Sequence, residues 1–132
     1  MGRISFNPRD RSIILRLTVG GINGNTFRDL LAVLDTGASI TSIPTKIALD
    51  LGYNLSNPER EVEIVTGSGI ESRKLITLSK LTAIGETLED INVICHDLPA
   101  KSGVAGLLGL NLLSHFDVNI SFSTGIIELH PH

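Results

Sequence analysis

The chain has 132 residues, 42% of them hydrophobic and 19% charged, with a formal net charge of −3. That composition suits one well-packed domain and argues against disorder. There is no run of Lys or Arg and no Trp, so nothing favours nucleic acid, an anionic membrane surface or a base-stacking platform.

The single cysteine, Cys95, excludes an internal disulfide framework and a Cys-based zinc site. It lies in the apolar stretch Ile91-Asn92-Val93-Ile94-Cys95 and reads as a buried, inert thiol. No segment approaches the roughly 18 apolar residues of a membrane span. The first ten residues lack the apolar core of a signal peptide, which makes a cytoplasmic location the default expectation.

Taken in order, Ser12 to Val19 reads as a first strand. The dense turn signal at Gly20-Gly21-Ile22-Asn23-Gly24-Asn25 should return Thr26 to Leu34 antiparallel as a hairpin. Asp35 ends that strand. A short strand over Ile40 to Ile43 and a helix over residues 44–51 follow, with Pro44 as first helical residue and Gly52 as its stop.

Pro58 starts a new stretch. Glu61-Val62-Glu63-Ile64-Val65 alternates as a half-buried strand does. The cluster Thr66-Gly67-Ser68-Gly69-Ile70 turns it into a second alternating run, Glu71 to Leu81. The result is a long hairpin with a glycine-rich tip. Leu88 to Cys95 forms another strand, and Lys101 to Gly106 a loop. Gly106 to Phe116 parses as a buried strand stopping at Gly109 and a helix of one to two turns. Asp117 to Phe122 and Ile126 to Leu129 flank a last turn at Ser123-Thr124-Gly125. About eight short strands and two short helices predict a mainly β barrel or sandwich in a single domain.

The chemistry concentrates at Leu34-Asp35-Thr36-Gly37-Ala38-Ser39. An ionisable Asp directly after the apolar run Leu30-Leu31-Ala32-Val33 is costly to bury unless hydrogen-bonded. Thr36 supplies a hydroxyl, and Gly37 permits a tight turn and close approach of a ligand. A carboxylate presented at the end of a rigid strand accounts for this pattern. A plain polar turn is the competing reading, since Asp, Thr, Gly and Ser are common turn residues.

Leu34 to Ser39, the glycine-rich hairpin tip, and Leu107-Leu108-Gly109 followed by Asn111-Leu112-Leu113 resemble the retropepsin-like aspartic proteases. The order and approximate spacing are similar over about residues 12 to 129. The resemblance implies a closed acid-protease β-barrel, mainly β with one or two short helices. Asp35 then corresponds to the catalytic aspartate, and Thr36 to the residue whose hydroxyl locks two copies of the motif together. Gly37 corresponds to the glycine lining the substrate channel. Gly67, Ser68, Gly69 and Ile70 would form the flap. Leu107, Leu108 and Gly109 would support the loop carrying Ala38 and Ser39.

Two departures stand out. Ser39 and Leu110 replace an acidic residue and an arginine that pair in retroviral members, which resembles a cellular or bacterial type. The C-terminal part, Asp117 to Leu129, is long enough for an extra hairpin, so the terminal strands should pair differently from the viral arrangement.

The resemblance implies an endopeptidase in which two carboxylates share one proton across a bound water, aspartic proteases being a standard case of such pKa splitting. With one Asp-Thr-Gly, the second carboxylate must be Asp35 of another copy, so a homodimer acting on peptide or protein is expected. The alternative is a catalytically silent domain of this fold serving as a dimerisation or peptide-binding module. A third and weaker reading is an unrelated small barrel holding an apolar ligand. No cofactor or metal is expected. His96, His115, His130 and His132 show no metalloprotease spacing, and Gly103 to Gly109 lacks the Lys-Ser/Thr of a phosphate loop. Ser39 and Ser42 have no evident His partner in sequence, so a serine hydrolase is not expected.

Overall fold

The computed structural model describes residues 2–57 and 60–132. Pro58, the expected start of a new stretch, lies outside them. Along the chain come β1 (Gly2–Ser5), β2 (Ile14–Gly20), β3 (Phe27–Leu34), β4 (Ser42–Ile43), α1 (Thr45–Asp50), β5 (Glu61–Thr66), β6 (Gly69–Ala83), β7 (Glu86–Cys95), β8 (Gly106–Leu108), α2 (Leu110–Leu113), β9 (Phe116–Ser121) and β10 (Ile126–Pro131). No helix among the described residues is long and apolar enough to cross a membrane.

Most of these strands form where apolar and polar residues alternate. In β2, Leu15, Leu17 and Val19 point into the core while Ile14 and Arg16 face out. β3 returns antiparallel, Leu17 opposite Leu30 and Leu15 opposite Ala32. Pro44 precedes α1 with extended ψ rather than opening it, because its ψ of 143° is not helical.

Among the described residues the strands run β2-β3-β8-β4-β7-β6-β5, and β6 returns to β2 through Leu17↔Ala83 and Val19↔Leu81. Six of them therefore close into a barrel, leaving β5 as the outer arm of the hairpin it makes with β6. Two contacts are parallel, β3 with β8 and β4 with β7. A closed barrel has no free edge except where β5 projects. Leu17, Ile43, Leu78, Leu81, Val93 and Leu108 fill its interior, all fully buried.

The long strand β6 does not keep one phase. Ile76 and Leu78 are buried, then Leu81 and Ala83. The slip falls at Ser79, whose N–H donates to Tyr53 Oη at 3.0 Å, while Asp90 near it on β7 sits at φ 53°. A local kink there lets one strand serve two walls of the barrel.

The terminal strands form a separate antiparallel sheet, β1-β10-β9, within the chain. The β9–β10 hairpin is the extra one expected. β1 pairs Gly2 to Leu129 and Ser5 to Ile126, and falls in a stretch where the sequence pattern suggests no strand. Its four residues show no clean alternation, so pairing with β10 and burial of Gly2 decide it.

Candidate active site

β3 and β8 lie parallel, Leu34 opposite Leu108, and the ladder extends one residue further, with Asp35 N–H donating to the Leu108 carbonyl at 2.9 Å. Asp35 is thus held by its backbone at the end of a central strand, half-buried. Its Oδ1 accepts the Gly37 N–H at 2.9 Å, and its carbonyl accepts the Ala38 N–H at 3.1 Å. A side chain on Gly37 would stand 3.1 Å from that same Oδ1, so glycine keeps the approach open.

The far side of the loop is tied to the start of α2. Leu110 N–H donates to the Ala38 carbonyl at 2.8 Å and Asn111 N–H to the Ser39 carbonyl at 3.1 Å. Ser39 and Leu110 are both exposed, so these main-chain bonds join the segments where an ion pair is absent. Gly109 fits because a Cβ there would meet the Ala38 carbonyl oxygen at 2.7 Å and the Thr41 nitrogen at 3.0 Å. Beneath lies fully buried Thr41. Its hydroxyl accepts the Gly109 N–H at 3.0 Å and donates to Asn111 Oδ1 at 2.9 Å, which also accepts the Thr41 N–H at 2.9 Å. Asn111 Nδ2 donates in turn to the Asn92 carbonyl. Thr41 was not among the expected site residues. Its signal was a hydroxyl amid apolar neighbours, Ile40 and Ile43.

A cleft of about 620 Å3 opens over this loop. Asp35, Gly37, Ala38 and Ser39 form one side of it, and the β5 arm the other. Of the four expected flap residues, Gly67 borders the cleft, whereas Ser68, Gly69 and Ile70 do not; Ile70 is 71% exposed opposite Val65. Thr36 is exposed and does not line the cleft, and Leu108 is buried behind the loop.

The wall beside Asp35 carries an unforeseen polar feature. Arg73 Nε donates to His96 Nδ1 at 2.8 Å, Arg73 approaches Glu71 at 3.3 Å, and Glu71 accepts the Thr66 hydroxyl at the hairpin tip. Burial, then the Arg73 charge, pushes the His96 pKa down, with Glu71 and Asp97 opposing. The Thr66 and Arg73 hydrogen bonds hold the Glu71 carboxyl below its usual range. Serine and histidine, unlinked in sequence, do share this wall as Ser42 and His96. Among the described residues no hydrogen bond joins them. Among the described residues no three His, Cys, Asp or Glu side chains converge to hold a metal ion.

A small closed β-barrel that sets an Asp-Thr-Gly loop under a hairpin has the retropepsin-like fold. The chain is similar to the crystal structure of a retropepsin-like aspartic protease from Rickettsia conorii, with 25% identity and a TM-score of 0.68, covering 96% of this chain and 87% of that one. Comparison with curated proteins returns no match. The model of the gag-polyprotein putative aspartyl protease family matches residues 18–115, and the chain belongs to that family.

Proposed function

We propose that this protein is an aspartic endopeptidase that hydrolyses peptide bonds through a water activated by two Asp35 carboxylates, one from each copy of a homodimer. The observation that carries this reading is the Asp35 carboxylate, oriented by the Gly37 N–H at 2.9 Å on the floor of a cleft. A hydrogen bond from a rigid loop fixes the aim of a reacting group before substrate arrives.

One carboxylate removes a proton from the water while the other, protonated, donates to the carbonyl oxygen. The chain holds one Asp-Thr-Gly, so a two-fold axis beside the exposed Thr36 supplies the second. Glu63, the other acidic residue bordering the cleft among the described residues, belongs to the β5 arm and lacks the anchoring of the β3 end. An extended peptide fits between hairpin and floor, where backbone hydrogen bonds supply affinity.

The test is peptide-library cleavage by the wild type and by Asp35→Asn at high protein concentration across about pH 3 to 8. Cleavage by the wild type alone supports the reading. Equal cleavage by a clean preparation of the variant overturns it.

A further inference from the structure

The short strand β4 has two faces. Ile43 is fully buried in the barrel core, and its partner in the parallel ladder to β7, Cys95, is buried there too. Ser42 therefore faces the other way, in register with Ile94 on β7 and Leu107 on β8, and all three border the cleft that holds Asp35. His96 lies two residues beyond Ile94 and lines the same wall.

Two polar groups on this wall are unspent. Ser42 is 1% exposed, and its Oγ has no hydrogen-bond partner among the described residues. Such an orphan is costly, and a hydroxyl left unpaired beside a cleft points to a partner that arrives with the ligand. The second group is His96 Nε2. Because Nδ1 accepts from Arg73 Nε, the neutral ring carries its proton on Nε2, which has no partner among the described residues. The chain His96–Arg73–Glu71–Thr66 holds the ring in place from behind.

We propose that Ser42 Oγ–H and His96 Nε2–H form a pair of donors that selects substrate side chains ending in an acceptor oxygen, amide or carboxylate, near the scissile bond. Ile94 and Leu107 flank the methylenes of such a side chain. An apolar side chain in the same place leaves the Ser42 hydroxyl buried and unpaired, and sites built to hydrogen-bond a group discriminate strongly against analogues lacking it. The inference rests on the peptidase reading for the word scissile, but the recognition it describes needs only peptide binding.

The experiment uses matched peptides differing at one position, Gln, Glu, Met or Leu, scanned along the sequence. Cleavage by the wild type and affinity for Asp35→Asn are read in parallel, each also in Ser42→Val, Ser42→Ala, His96→Leu and His96→Gln backgrounds. Gln or Glu should be favoured over Leu at one position by at least about tenfold. That preference should collapse in Ser42→Val and His96→Leu and partly survive in His96→Gln, which keeps a donor. The Gln and Glu arms tell amide from carboxylate. Preferential binding of Gln or Glu peptides without cleavage overturns the peptidase reading and sustains this one. A wild-type preference for Leu or Met, a preference unchanged in folded Ser42→Ala and His96→Leu, or no peptide binding at all overturns it.

Discussion

Asn111 Oδ1 accepts both the backbone N–H and the hydroxyl of Thr41, each at 2.9 Å, across 70 residues of sequence. The same hydroxyl accepts the Gly109 N–H. One buried threonine thus joins the loop after β3 to the turn before α2, and the loop is the one that carries Asp35. Thr41→Val keeps the shape and removes the hydroxyl, leaving Gly109 N–H without its acceptor. Loss of about 1–3 kcal/mol is expected, measured by urea unfolding. A variant as stable as the wild type would show that the network is not structural.

Gly109 is constrained by space and not by conformation, since its φ of −103° suits any residue. All three nearest atoms to an added Cβ are backbone, at 2.7, 2.9 and 3.0 Å. Gly109→Ala must push the loop of Ala38 to Thr41 outward, at a cost of about 1–3 kcal/mol. Cleavage should fall more than stability alone explains, because Asp35 shares that loop. Thermal melts and kcat/KM on the same preparation check this.

Asp35→Asn should lower kcat by at least about a hundredfold, since a neutral amide cannot act as base. The Gly37 N–H retains an amide oxygen to bond, so the fold should persist. Circular dichroism and a cleavage assay together decide it. Residual activity within a few-fold of wild type would discard Asp35 as the catalytic group.

Acidification should loosen the base of the hairpin. His96 titrates below its ordinary 6.5, so the neutral ring is the native form and the unfolded chain takes up its proton first. Its contribution to stability is complete above about pH 6.5 and is lost as the pH falls toward the lowered native value. Glu71, also lowered, contributes fully above its ordinary 4.5 and loses that contribution as the pH drops through its native value. Protonated His96 can no longer accept from Arg73, and Glu71 and Asp97 only partly offset the two adjoining cations. NMR titration should place the His96 midpoint below 6.5, with Thr66 and Arg73 resonances moving in step. A midpoint at or above that value would refute the Arg73–His96 bond in solution.

Cys95 is buried, and burial followed by the nearby Asp97 charge pushes its thiol up to about 11. Native protein at pH 8 should alkylate slowly and completely only in denaturant. Fast labelling of folded protein would mean that β7 opens readily.

Much of this molecule was legible in its residues. Alternation located β2, β5 and β6, and the Gly-Asn cluster at 20–25 located the first hairpin, because side-chain period and turn chemistry are written locally. Leu34 to Ser39 identified the loop, and Leu107-Leu108-Gly109 its support, because a strand-end carboxylate and a close-packed glycine need particular residue types. β1 was missed because its edge pairing comes from β10, more than a hundred residues later. Of the expected flap, Gly67 to Ile70, the structure sets Gly67 beside the cleft together with Glu63 to Thr66 of β5, a placement that register across the hairpin decides.

What the sequence determined by itself was therefore the inventory: a mainly β chain, its hairpins, and one Asp-Thr-Gly loop after an apolar strand. Only the tertiary structure decided that β6 closes onto β2, that Thr41 rests against Asn111, and that Ser42 and His96 border the same cleft. Those relations join residues far apart in the chain. They arise from barrel closure and strand register, and no local periodicity encodes them.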